Sequence, residues 1–236
     1  MAKIISYKNP ELATIKDNKA LWNLPKTRRF GYRNLHKINR YGLFLRSDLI
    51  LKLKKNYKKE IGIKPLVKKL TKNKSFCSLI VGNGQNILFE KYAKDFSYNQ
   101  PQTIMSITKM FANLFVGELL KNKKINLNKN VSYYLPKIGS GYAKAKVQDI
   151  LNMNVVNAYT EDYTKAYSSS FMHEPVGGWR LPKSGQIKLS QEQYLNTIKN
   201  IKNRDLKNNS EYALYKSANT DVIGLIIEKI SGIPLR

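Results

Sequence analysis

From Ser106 the chain reads SITKMFANLFVGELLK, and Ile107, Met110, Phe111, Leu114, Phe115, Leu119 and Leu120 recur at three- and four-residue steps. That period belongs to an α-helix. So wide an apolar stripe predicts a helix over 106–120 buried along its core side. Such a helix needs other apolar elements to cover it. The chain can supply them: it has 236 residues, 42% hydrophobic and 11% aromatic, which excludes an intrinsically disordered class.

The segment SLIVGNGQNILFEKY places two apolar runs around Gly82-Asn83-Gly84-Gln85, a hairpin signal with turn residues tolerant of positive φ. KVQDILNM reads as a short helix, and SQEQYLNTIKNI as another, with Ser190 and Gln193 spaced for a capping box. TDVIGLIIEKISGIP reads as a helix from about Thr220, closed by Gly232 and Pro234. Residues 154–189 are rich in Tyr, Ser, Gly and Pro and read as a long irregular functional loop.

Residues 1–75 form a basic region. LWNLPKTRRFGYRNLHKINRYG within it reads as an extended arm, and Leu43, Phe44, Leu49, Ile50 and Leu53 suggest a helix starting near Ser47. The expected division is therefore a basic arm and helix over 1–75, then a domain over 76–236. There is no internal repeat.

Lys and Arg number 42 against 16 Asp and Glu, a formal charge of +26. Two readings stay open. One is an anionic partner, nucleic acid or lipid, drawn to the dense stretch Lys52–Lys74. The other is a composition heavy in Lys, Asn, Ile and Tyr throughout. No helix-turn-helix, zinc-finger or RNA-recognition signature accompanies the charge.

Cys77 is the sole cysteine, so no intrachain disulfide forms, and its apolar setting in SFCSLIV reads as a buried small hydrophobe. His36 and His173 are far apart in sequence and read as solvent-facing or capping residues; neither a metal nor another cofactor is expected. The opening MAKIISYKNPELATIKDN lacks an apolar signal region, and runs such as VIGLII are too short to span a bilayer, so the expected location is cytoplasmic.

Ser106 and Lys109 share one face of a helical turn. A serine in the first turn lies beside free backbone N–H groups and the positive end of the helix dipole, which favour a developing oxyanion. A free amine next to a hydroxyl is a competent base for a nucleophilic serine. A helix start with a serine cap explains the same letters. A second constellation, ALYKSANTDVIGLIIEKISG, sets Tyr215 and Ser217 just ahead of another apolar helix. A phenol near a lysine relays a proton, whereas an aromatic before a helix also serves packing.

Together, SITK ahead of a long apolar helix and Y-x-S-x-N-T-D-x-x-G-x-I-I-E-x-x-S-G resemble the penicillin-recognising serine hydrolases of the class C β-lactamase and penicillin-binding protein superfamily. The resemblance runs from about Ser78 onward, through the hairpin, VQDILNMNVV, YTEDY and GGW. Within that group, Tyr163, Gly178-Trp179 and the serine two past Tyr215 are most similar to 6-aminohexanoate-dimer hydrolases and related esterases. The resemblance implies an α+β, β-lactamase/transpeptidase-like fold and a small-molecule amide or ester substrate. It implies Ser106 as the acylated nucleophile, Lys109 as its base and Tyr215 as the proton relay. It also implies Ser217 beside the reacting centre, and Tyr163 and Trp179 on a mobile loop over the substrate; each of these two aromatics reads equally as a core or surface residue.

Two departures stand out. Asn154-Val155-Val156 follows ILNM where many relatives have T-S-G, so the turn there must differ. The K-T-G or H-x-G strand that relatives carry well after the tyrosine motif is not found before Arg236. The resemblance thus implies a fold truncated before its C-terminal strands: a longer protein's N-terminal portion, a chain needing a partner half, or an inactive form of the same fold. It also implies an open hairpin edge and a Ser106 helix with one flank uncovered.

Overall fold

A computed structural model describes residues 3–8, 21–38, 41–182, 184–187, 189–202 and 205–235. The chain divides into two compact units, residues 1–103 and 104–236.

In the first unit, strand β1 (Lys3–Lys8) pairs antiparallel with β2 (Tyr41–Arg46), in register from Lys3 opposite Arg46 to Lys8 opposite Tyr41. A second sheet has the order β3-β5-β4, from β3 (Lys54–Lys55), β4 (Ser78–Asn83) and β5 (Asn86–Tyr92). The expected hairpin is β4–β5. Its tight loop puts Gly84 at φ +55°, which a glycine adopts without a Cβ clash. The register shifts at Val81–Gly82, a bulge that bends β4.

The expected helix from Ser47 is absent. Leu43 and Phe44 lie in β2, and 47–53 is irregular, with Leu49, Ile50 and Leu51 exposed; the helix α2 (Lys59–Ile63) starts later. Strand pairing with residues about forty positions away overrode a weak local period. The segment expected as an extended arm contains a helix, α1 (Arg28–Arg33), and a 3-10 turn over Leu35–Ile38; Asn39 and Arg40 of that segment, like residues 9–20 of the basic region, lie outside the described residues.

Arg29 and Arg33 of α1 both bind Asp95, at 2.6 and 2.9 Å, which holds that carboxyl far below its ordinary range. Cys77 is half-buried rather than buried. Its sulfur lies 3.7 Å from a guanidinium nitrogen of Arg29 and 4.0 Å from one of Arg33. α3 (Pro65–Lys72) opens with a proline at its first position, where no N–H is needed.

The second unit is helical: α4 (Lys109–Lys121), α5 (Val131–Tyr134), α6 (Ser140–Ala143), α7 (Val147–Leu151), α8 (Ser169–Val176), α9 (Gln191–Asn196) and α10 (Ser217–Ser231). Helix α10 is its spine, packing against α4, α5, α7 and α9. Ala218, Val222, Ile223, Ile226 and Ile227 line its buried face with Tyr142, Val147, Ile150 and Leu195. It begins at Ser217, three residues before the expected start, and ends at Gly232 in the left-handed region (φ +70°). The capping box at α9 forms as expected, with Gln193 N–H donating to Ser190 Oγ and Ser190 N–H to Gln193 Oε1.

Helix α4 departs from expectation in its packing. Val116 is buried and Ala112 and Leu119 pack against the core, but Ile107, Phe111, Leu114 and Phe115 are at least half exposed. The apolar stripe is wider than the surface α10 covers. The segment 154–189, expected as irregular, contains α8. His173 on it is buried rather than solvent-facing or capping, because the rings of Tyr194, stacked on it, and Tyr159, edge-on, cover its imidazole. No helix among the described residues is long and apolar enough to cross a membrane.

Candidate active site

Ser106 does not sit in the first turn of α4 but in a 3-10 turn, Met105–Thr108, that leads into it. Met105 has φ +46°, a strained conformation for a residue with a side chain, so the chain turns sharply just before the serine. The turn leaves Ser106 exposed and Lys109 half-buried one turn on.

Lys109 Nζ donates to Ser106 Oγ at 3.0 Å, and Tyr215 Oη donates to the same oxygen at 2.7 Å. Lys109 Nζ also lies 5.6 Å from the centre of the Tyr215 ring. The three side chains that the two motifs contribute therefore meet at one oxygen. A hydroxyl held between an amine and a phenol can lose its proton to one and have a proton delivered by the other.

What brings Tyr215 there is the residue pair that follows it. Lys216 has extended backbone (φ −145°, ψ 122°), so successive side chains point to opposite sides. Lys216 turns inward and is buried. Its ammonium donates to Asn157 Oδ1 at 2.6 Å, Tyr159 O at 2.9 Å and Asn157 O at 3.3 Å. Burial lowers its pKa to about 8. Asn157 is itself fixed, donating to Gly141 O at 3.1 Å and accepting from Tyr159 N–H at 3.2 Å.

Ser217 opens α10. Its N–H donates to Glu161 Oε2 and its hydroxyl to Glu161 Oε1 at 2.8 Å. The Glu161 carboxylate thus caps a 15-residue helix from a distant loop, where the helix dipole favours negative charge. Tyr163 donates to the same carboxylate at 2.7 Å, and desolvation followed by that carboxylate raises its pKa. So Ser217 and Tyr163 converge on Glu161, with the Tyr163 ring edge-on to Phe171. Trp179 lies just past α8; its ring would meet a Cβ on Gly177 at 2.9 Å, so that glycine leaves room for the indole. Among the described residues no group of three His, Cys, Asp or Glu side chains converges as a metal site.

Sequence reasoning missed Glu161, Lys216 and Asn157. Glu161 stands inside the quoted YTEDY and Lys216 between the two motif residues, but nothing in their spacing marks them.

Over 157 residues the chain is 30% identical to the 6-aminohexanoate-dimer hydrolase of Paenarthrobacter ureafaciens. That alignment covers 66% of this chain and 38% of the relative, so the chain spans under two fifths of the curated protein it matches. No family model matches. A solved structure named "Putative 6-aminohexanoate-dimer hydrolase from Bacillus anthracis" superposes with a TM-score of 0.70 at 16% identity, over 96% of this chain and 60% of that one. The chain has a β-lactamase-like fold. This bears out the α+β expectation for the described elements.

Proposed function

We propose that the chain carries the site of a serine hydrolase that cleaves an amide or ester through an acyl-enzyme on Ser106. The convergence of Lys109 and Tyr215 on Ser106 Oγ carries this reading. The likeness to proteins named for hydrolysing a 6-aminohexanoate dimer supports an amide as the substrate.

Lys109, as the free amine, takes the hydroxyl proton while Oγ bonds to the carbonyl carbon. Tyr215 then delivers a proton to the leaving nitrogen or oxygen as its bond to that carbon breaks, and recovers one from Lys109. Water reverses these roles to release the acid. Glu161 and Lys216 hold the ends of the tyrosine motif, so the phenol stays in reach of Oγ.

The test is labelling by a fluorophosphonate, read by intact mass and peptide mapping. One equivalent on Ser106, lost in Ser106→Ala, is expected. A folded chain that takes up no label would overturn the reading and leave the inactive alternative.

A further inference from the structure

Beside Ser106 lies a cleft of about 240 Å³, between α4, α7 and α10. Ser106 and Lys109 form its end, and Met110, Ile150, Leu151, Met153 and Ile223 its walls. Ile150 and Ile223 are core residues, 1% and 2% exposed, so the floor is fixed.

Met153 is held with equal care. Its backbone is left-handed at φ +53°, and its carbonyl accepts from Leu214 N–H at 2.8 Å, one residue before Tyr215. Its sulfur accepts from Asn219 Nδ2 at 3.5 Å, and Asn219 Oδ1 accepts from the buried Tyr142 hydroxyl at 2.9 Å. A buried polar chain therefore fixes an apolar wall next to the proposed nucleophile, an arrangement that packing alone does not require.

We propose that this cleft is the acyl-chain subsite: it takes a short, unbranched aliphatic chain with an uncharged end. The inference rests on the serine-hydrolase reading, because the chain would be attached at Ser106. Three observations decide the ligand's class. Apart from Thr220 and the rim residue Asn113, the walls away from Ser106 and Lys109 are aliphatic or thioether. No acidic residue lines the cleft to pair with a cationic end. The chain's surplus of +26 further opposes a cation. At about 30 Å³ per water-sized group, the volume holds roughly eight heavy atoms, enough for a chain of about six carbons with its carbonyl.

The experiment is single-turnover acylation by 4-nitrophenyl acetate, butyrate, hexanoate, dodecanoate and 6-aminohexanoate. In each, Oγ bonds to the acyl carbon, 4-nitrophenolate leaves, and the serine proton passes to Lys109. Phenolate release and intact mass report the rate. Each methylene up to hexanoate should raise it about two- to fourfold, the upper figure being full burial. Dodecanoate should gain nothing further, and 6-aminohexanoate should run about tenfold behind hexanoate.

Met153→Phe, and Asn113→Trp on the exposed rim, should flatten the hexanoate-to-acetate ratio. Asn113→Trp serves if the core variant does not fold. Acylation of Ser106 with no dependence on chain length, with equal hexanoate and 6-aminohexanoate rates, or with a ratio unmoved by either variant, overturns the subsite alone. No acylation by any ester, in a folded chain, overturns the hydrolase reading and the subsite with it.

Discussion

Tyr215 Oη lies 2.7 Å from Ser106 Oγ although 109 positions separate the two residues. Nothing local holds them together; the contact exists because α10 packs on α4 and because the residues after Tyr215 are tied down. Tyr215→Phe removes one hydroxyl at a site 46% exposed. Turnover should fall by about two to four orders of magnitude. The urea midpoint should stay within about 0.5 kcal/mol of the parent's in stability, as for surface changes. Paired ester kinetics and urea unfolding check both.

Glu161→Gln keeps the side chain's shape but removes the charge that faces the start of α10 and one of the acceptors that Ser217 uses. A loss of about 1–2 kcal/mol is expected. Turnover should drop more than KM changes, since substrate contacts remain while the phenol loosens. Urea unfolding and steady-state kinetics on the same preparation give the answer.

Lys216 provides a pH signature. Its folded pKa is about 8, below the unfolded value of about 10.4. Between these the unfolded chain binds more protons, so this group makes stability rise with pH through the window and lose that gain as pH falls through 8. The stability difference between wild type and Lys216→Met should therefore grow in wild type's favour from pH 8 to about pH 10. Above pH 10 the buried tyrosines act the other way: Tyr194, raised to about 12 by desolvation, binds its proton more tightly folded than unfolded. Chemical unfolding of both proteins at half-unit pH steps checks the sign.

Gly139 is packed against backbone. A Cβ there would stand 2.5 Å from both Asn196 O and Ile198 O, which cannot swing aside as a side-chain tip would. Gly139→Ala should cost about 3 kcal/mol or more. A thermal midpoint unchanged from wild type would show that the α6–α9 contact is looser than this.

The outer face of α4 presents Phe111, Leu114 and Phe115, continued by Ile107 of the preceding turn, each at least half exposed. Contiguous apolar surface of this kind drives association. The isolated chain should show concentration-dependent sedimentation, and Phe111→Lys with Leu114→Lys should shift it toward the monomer. Identical sedimentation of the two would mean the face does not associate.

Helices α4, α7, α9 and α10 of the second unit were legible because their signals are local, whereas α8 formed within a segment that reads as irregular. The stripe in 106–120, the Ser190–Gln193 box and the Gly232 stop each lie within one or two turns of the structure they specify. The β4–β5 hairpin was legible for the same reason. Ser106 and Lys109 are three positions apart, and the 3-10 turn that leads into α4 keeps them as close as an α-helical turn would. The helix expected from Ser47 failed because β2 is decided by pairing with β1.

The amino-acid order alone determined the cap of α9, the stop of α10 at Gly232 and which alcohol sits one turn from an amine. Only the tertiary structure decided which residues hold Tyr215 in place, that His173 is enclosed by two tyrosines, and which half of the α4 stripe is covered. The reason is range. Capping and periodicity act over a few residues. Burial and buried hydrogen bonds join residues such as Glu161 and Ser217, 56 positions apart, whose sequence spacing carries no trace of their contact.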